Sequence, residues 1–252
     1  LITNAVSQMK DYFSTQSQTY AAFRPTYPQE LYQFLFQHVK NKDNAWDCAT
    51  GNGQVAHQLA KYFNNVYATD ISAQQLGHAI KENNIRYSVG RAEKTEFPDH
   101  HFDLITVAQA LHWFDLNLFY NEVRRVVKPG GILAVWGYSM LTIDAAIDKF
   151  IHEFYYNTVG PYWDDARKVV EDEYRSIEFP FEQISCPRFS IKVEWTLRQL
   201  GGYLSSWSAT QKFIKEKGYD PVEPFLDDVR NIWDGQEKQV AFPLFSKIGR
   251  VL

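Results

Sequence analysis

Two acids bracket a glycine turn early in this chain: Asp47-Cys48-Ala49-Thr50-Gly51-Asn52-Gly53 comes first, and a lone Asp70 follows. A short apolar stretch runs into Asp47, the turn passes through Gly51 and Gly53, and a helical pattern opens from Gln54 to Phe63. A second apolar stretch, Asn65 to Thr69, stops on Asp70. Strand, glycine turn, helix, strand and terminal acid together make a nucleotide-binding βαβ unit. The glycines let the backbone pass close beneath a ligand, and Asp70 is placed to accept hydrogen bonds from a ribose diol. Downstream, His112 and Trp113 follow a buried strand pattern. That placement turns Trp113 toward an adenosine and His112 toward a reacting centre, where an imidazole can move protons. Nearer the N-terminus, Tyr20, Arg24 and Tyr27 sit in a proline-stiffened segment. A guanidinium there suits a carboxylate, which it grips in bidentate fashion without losing its charge.

The elements needed to position these residues can be read along the chain. Pro28 opens a helix over Gln29 to Lys40, with Leu31, Leu35 and Val39 on one stripe. Strands are expected near 44–48, 65–69, 85–89, 102–108 and 132–138. Helices are expected near 53–63, from a Ser72 cap to Asn83, and over 117–127, where Lys128-Pro129-Gly130-Gly131 forbids continuation. Alternation of this kind predicts an α/β, Rossmann-like doubly wound sheet of about seven strands, mostly parallel with an antiparallel last strand. Residues 139–185 carry aromatic helical stripes and no clear strand, too long for an ordinary crossover. They predict a helical lid inserted after strand 5, its aromatics packing mostly on one another. The division expected is 1–138 with 186–252 as the cofactor domain and 139–185 as the substrate-binding insertion. A sixth strand is expected over 189–195, helices over 196–216 and 221–234, and a last strand over 239–245, with Pro243 at an edge or bulge.

The spacing Gly51-x-Gly53-x-x-Ala56 also satisfies a dinucleotide fingerprint, whose turn amides meet a pyrophosphate. S-adenosylmethionine has no phosphate; its methionine ammonium needs an acceptor, which Asp47 supplies. The motif Asp47-Cys-Ala-Thr-Gly51-Asn-Gly53 resembles the D-x-G-x-G-x-G turn of class I S-adenosylmethionine-dependent methyltransferases, with Ala49 in place of the first glycine. Gly90-Arg-Ala92-Glu93 with Phe97-Pro98-Asp99 and Phe102-Asp103 is similar to the family stretch that lines the adenine. Arg91 departs from it, since an arginine has no acceptor for an adenine amino group. Gln109 to Phe114 resembles the segment beside the cofactor, and Arg124 to Gly131 the turn before strand 5. Tyr20, Arg24, the His112-Trp113-Phe114 triplet and Phe242 to Arg250 resemble the branch of trans-aconitate methyltransferase-like proteins. The resemblance implies S-adenosyl-L-methionine as cofactor, held by Asp47, Ala49, Gly51, Gly53, Asp70, Ile71, Ala92, Glu93, Gln109 and Trp113. His112, Arg24 and Tyr20 are the candidates for catalysis and acceptor binding, and in-line methyl transfer to a small molecule, such as a carboxylic acid, is the expected reaction. An NAD-dependent dehydrogenase and a non-catalytic cofactor-binding module of the same fold stay open as alternatives.

Composition narrows the partners. With 26 Lys and Arg against 30 Asp and Glu the net charge is −4, and no basic block follows a phosphate backbone, so nucleic acid is not expected. Two cysteines predict a reducing cytoplasm, and no apolar run reaches membrane-spanning length. The seven histidines are scattered, so no metal site is expected. A small-molecule substrate and a monomer or dimer are the expected partners, and a first residue other than Met predicts a trimmed N-terminus.

Overall fold

The computed structural model describes residues 25–252. Helix α1 (Gln29–His38) starts directly after Pro28 and buries Leu31 and Leu35. Four parallel crossovers follow through β1 (Asn44–Cys48), α2 (Gln54–Ala60), β2 (Asn65–Asp70), α3 (Ala73–Gly77) and β3 (Ile85–Val89), then β4 (Phe102–Ala108), α4 (Leu116–Val126) and β5 (Val127–Tyr138). The helix expected up to Asn83 is shorter: Ser72 caps it by accepting from the Gln75 amide, and α3 ends at Gly77. Beyond β5 come α5 (Ala145–Glu153), a π turn at Phe154–Thr158 and α6 (Arg167–Glu171). After these lie β6 (Glu182–Gln183), β7 (Ser190–Trp195), α7 (Leu197–Ser205), α8 (Ser208–Lys217), α9 (Val222–Arg230) and β8 (Lys238–Arg250).

The sheet order is β3-β2-β1-β4-β5-β8-β6, with β7 also paired to β8. The strands from β3 to β5 are parallel, and β8 runs antiparallel to β5, β6 and β7. Strand β4 is buried on both faces from Phe102 to Val107, as a central parallel strand covered by helices must be. Pro243 sits inside β8 where the strand passes from β7 (Ser190 opposite Pro243) to β5 (Tyr138 opposite Leu244). A residue without an N–H is tolerated at such a change of partner. Strand β5 begins earlier than expected, because Lys128 to Gly131 form a bulge between the Phe102–Val127 and Leu104–Ile132 pairs. There Lys128 pairs with Asp103, whose other carboxylate oxygen accepts from the Asp43 and Asn44 amides. Asp103 is thus a structural anchor.

Residues 139–185 are less helical than expected. Among the described residues they hold two short helices, the π turn, a 3-10 turn at Gly160–Tyr162 and the two-residue strand β6. Their aromatics do not pack only on one another. Phe154 lies 6.0 Å from Trp207 and 5.3 Å from Phe225, and Tyr155 lies 5.5 Å from Trp207. Trp207 is also why one helix expected over 196–216 is two: it breaks the helix with extended backbone (ψ 137°) and turns into this aromatic cluster.

Candidate active site

The strand order reverses at β1, whose neighbours are β2 and β4, so the crevice at the carboxyl ends of β1, β2 and β4 is the place for a ligand. The residues 49–53 turn there is built on left-handed backbone, with φ of 55° at Ala49, 57° at Gly51 and 81° at Gly53. At Gly53 a side chain is excluded twice: by φ, and by the Tyr87 hydroxyl, which occupies the space of a Cβ while donating to Ile80 O at 2.7 Å. Gly51 donates its amide to Asp70 Oδ2 at 2.8 Å, and Asp70 Oδ1 accepts from the Ser72 amide at 2.9 Å. Asp70 thereby ties the glycine turn to the start of α3 at the carboxyl end of β2. Ile71 beside it is 43% exposed, an apolar surface at the rim.

Asp47 is turned inward instead. It is 1% exposed, Oδ2 accepts from the Thr50 hydroxyl and the Ala56 amide (3.1 Å), and Oδ1 accepts from the Thr106 hydroxyl at 2.8 Å. Burial pushes its carboxyl up to about 6, against the pull of these hydrogen bonds. In this geometry Asp47 ties the turn to α2 and β4, and its bonds are with the protein.

The opposite wall comes from the segments after β3 and β4. Ala92 is buried, and Glu93 joins two loops by pairing with Arg91 and accepting the Asp115 amide at 3.2 Å. Phe97 packs 5.4 Å from Trp46 and 4.9 Å from Phe102, so this ring belongs to the core rather than to an adenine pocket. Gln109 is left-handed (φ 55°), a strained conformation of the kind found at functional sites. Its Nε2 donates to Tyr138 O at 3.4 Å, while Oε1 is buried with no hydrogen-bond partner. A buried acceptor needing a donor fits an ammonium, and a Cβ at Gly137 would collide with it.

His112 lies in the 3-10 turn Leu111–Trp113, its ring 4.9 Å from Trp113. Nδ1 is 2.8 Å from the Tyr174 hydroxyl. Burial, with the Arg167 charge second, holds this imidazole down to about 3, so it is neutral near pH 7. Tyr174 and its neighbour Glu173 both have left-handed backbone (φ 58° and 54°), and Glu173 accepts from Ser139 Oγ at 3.0 Å. Gly51, Gly53, Asp70, Ile71, Gln109, His112 and Trp113 therefore flank the carboxyl ends of β1, β2 and β4, whereas Tyr20 and Arg24 lie outside the described residues. Thr50, Thr106, Tyr87, Tyr174 and Arg167 were not singled out by sequence. Only Thr50, three residues after Asp47, carried a local signal, since the others approach from distant parts of the chain.

Fold and site together define a one-cofactor doubly wound enzyme domain. A dinucleotide requires a second mononucleotide-binding half, and the antiparallel β8 stands where its parallel strands would continue. A family model described as a methyltransferase domain matches residues 46–135. A Dictyostelium discoideum protein named as a methyltransferase is 37% identical over 248 residues, covering 95% of this chain and 94% of that one. A solved structure from Anaeromyxobacter dehalogenans, named as a type II methyltransferase, superposes with a TM-score of 0.85 at 33% identity, covering 91% of this chain and 99% of that chain. A Saccharomyces cerevisiae protein named as an S-adenosylmethionine-dependent methyltransferase is 22% identical, with 91% of this chain and 92% of that protein covered. The chain belongs to the class I S-adenosylmethionine-dependent methyltransferase family.

Proposed function

We propose that this protein binds S-adenosyl-L-methionine in the crevice and transfers its methyl group to a small carboxylic acid, in the manner of the trans-aconitate methyltransferase-like branch. The observations that carry the cofactor reading are the left-handed 49–53 turn tied to Asp70 through the Gly51 amide, and the buried, unanswered Gln109 Oε1 after the carboxyl end of β4. Asp70 would hold the ribose, Ile71 and Trp113 the adenine faces, and Gln109 the methionine ammonium. Asp47, Ala92 and Glu93 would support these from behind. When bound, the cofactor supplies a methyl already activated by its sulfonium charge.

The protein's own task is then chiefly orientation and exclusion of water, and orientation alone is worth roughly 7–11 kcal/mol in favourable cases. An ionised carboxylate needs no general base, which agrees with a His112 that is neutral and already hydrogen-bonded to Tyr174. Residues 139–185 would act as the lid over the acceptor. We place the protein in the cytoplasm, as a monomer or dimer working without nucleic acid, membrane or metal.

Isothermal titration with S-adenosylmethionine, S-adenosylhomocysteine and NAD tests the cofactor reading. The first two should bind at micromolar concentrations, NAD should not, and Asp70→Ala should weaken binding by about tenfold or more. Absence of S-adenosylmethionine binding at hundreds of micromolar sinks the proposal. Binding without methyl transfer to any of a panel of acids, phenols and amines would instead mark a non-catalytic module.

A further inference from the structure

Arg167 opens α6, the short helix packed against the 111–113 turn that carries His112 and Trp113. Its Nε donates to the Tyr155 hydroxyl at 2.9 Å, and its guanidinium lies 5.0 Å over the Trp163 ring and 5.7 Å from the Tyr155 ring. The Tyr155 hydroxyl in turn donates to Glu171 Oε1 at 2.6 Å. Among the described residues no carboxylate comes within ion-pair distance of Arg167, as for Arg86, Arg124, Arg188, Arg198 and Arg250, whereas Arg91, Arg175 and Arg230 each pair with one and Arg125 with two. The two Nη groups have no hydrogen bond among the described residues. In the same stack Trp163 Nε1 is buried and has no partner.

A half-buried cation with an unused fork, beside a buried unsatisfied N–H, presents donors and no acceptor. Such a pair is matched by a ligand group that only accepts, and a planar carboxylate fits the guanidinium fork best. The aromatic shelf fixes the fork's orientation, so little entropy is lost when an anion docks. The shelf stands beside the turn that presents His112, whose neighbour Tyr174 feels the same Arg167 charge.

Resting on the methyl-transfer reading above, we propose that Arg167, assisted by Trp163 Nε1, binds the carboxylate of the methyl acceptor and makes the enzyme selective for anionic small molecules. Arg167 is the acceptor-specificity residue.

The test uses the full chain, with radiolabelled S-adenosylmethionine as methyl donor. Acceptors are benzoate, cinnamate and aliphatic mono- and dicarboxylates, each paired with its uncharged amide. The wild type should methylate one or more acids and discriminate against the matching amide. Arg167→Met should raise KM for that acid by at least about tenfold, the loss expected for one charge-assisted pair, and Arg167→Lys should restore part of it. Trp163→Phe, which keeps the ring and removes the N–H, should raise KM by a few fold. The Kd of S-adenosylhomocysteine, measured by titration, should stay within twofold of wild type in all three variants. An unchanged KM in Arg167→Met, equal use of acid and amide, or transfer to no acid at all overturns the assignment. Failure of the wild type to bind S-adenosylmethionine overturns the methyl-transfer reading instead.

Discussion

Ala49 stands where the family motif has its first glycine, and its φ of 55° shows why a glycine suits that position. A left-handed residue with a Cβ costs about 1–2 kcal/mol, part of which a glycine would give back as unfolded-state entropy. Ala49→Gly should therefore raise stability by about 0.5–1 kcal/mol in urea unfolding, and a clear loss would contradict the strain argument. Gly53→Ala meets both the left-handed penalty and the Tyr87 hydroxyl. It should lose about 2 kcal/mol or more and weaken cofactor binding at the same time. If Gly53→Ala titrates and unfolds like wild type, the close approach of Tyr87 is not what demands the glycine.

At the scale of elements, the helices beyond β5 depend on one tryptophan. Trp207 lies within 6.0 Å of Phe154, Tyr155, Trp163 and Tyr203 and is 6% exposed. It joins α7 and α8 to the π turn and to the shelf that carries Arg167. Trp207→Ala should cost about 3–5 kcal/mol of unfolding free energy, the range for large aromatic deletions from a core. The β1–β2 crevice is built from other residues, so S-adenosylhomocysteine binding should survive at temperatures where the variant stays folded. Loss of acceptor turnover with retained cofactor affinity is the expected signature; a cost below about 1 kcal/mol would show that the cluster is not a cooperative unit.

Over the whole molecule, two buried groups at the site oppose one another in their response to pH. His112 is held near 3 in the folded state against an ordinary 6.5, so the unfolded chain binds its proton first. Stability therefore falls as pH drops below about 6.5. Asp47 is raised from 3.8 to about 6, so the folded state holds its proton longer, and stability falls as pH rises from about 4 through 6. A rise of that size corresponds to about 3 kcal/mol. Between pH 6.5 and 4.5 the two effects largely cancel in the wild type. Removing one exposes the other: relative to its value at pH 6.5, His112→Gln should be about 2 kcal/mol more stable at pH 4.5 than wild type on the same scale. Denaturation curves for the two proteins that run parallel across this range would refute the buried neutral histidine. The same neutrality predicts no ionisation of His112 in the pH–rate profile between pH 5 and 8, and a limb near 6.5 that vanishes in His112→Gln would contradict it.

The sheet and its ligand crevice were legible because their signals are local. An apolar run bounded by Gly or Asp reads as a strand wherever it lies, and Gly51, Gly53 and Asp70 sit at fixed offsets along one βαβ unit. Sequence alone therefore determined the parallel order of elements from β1 to β5 and the antiparallel close. It did not determine that Asp47 turns inward, because that depends on Thr106, 59 residues away in β4. Nor did it reveal the lid's makeup, since aromatic stripes look alike whether they pack on one another or on Trp207. The Arg167 shelf and the Tyr174–His112 contact, 62 residues apart, belong to the same group. Tertiary structure alone decided these, because a side chain's partner and charge state are set by what surrounds it in space, and residue type and spacing constrain only near neighbours along the chain.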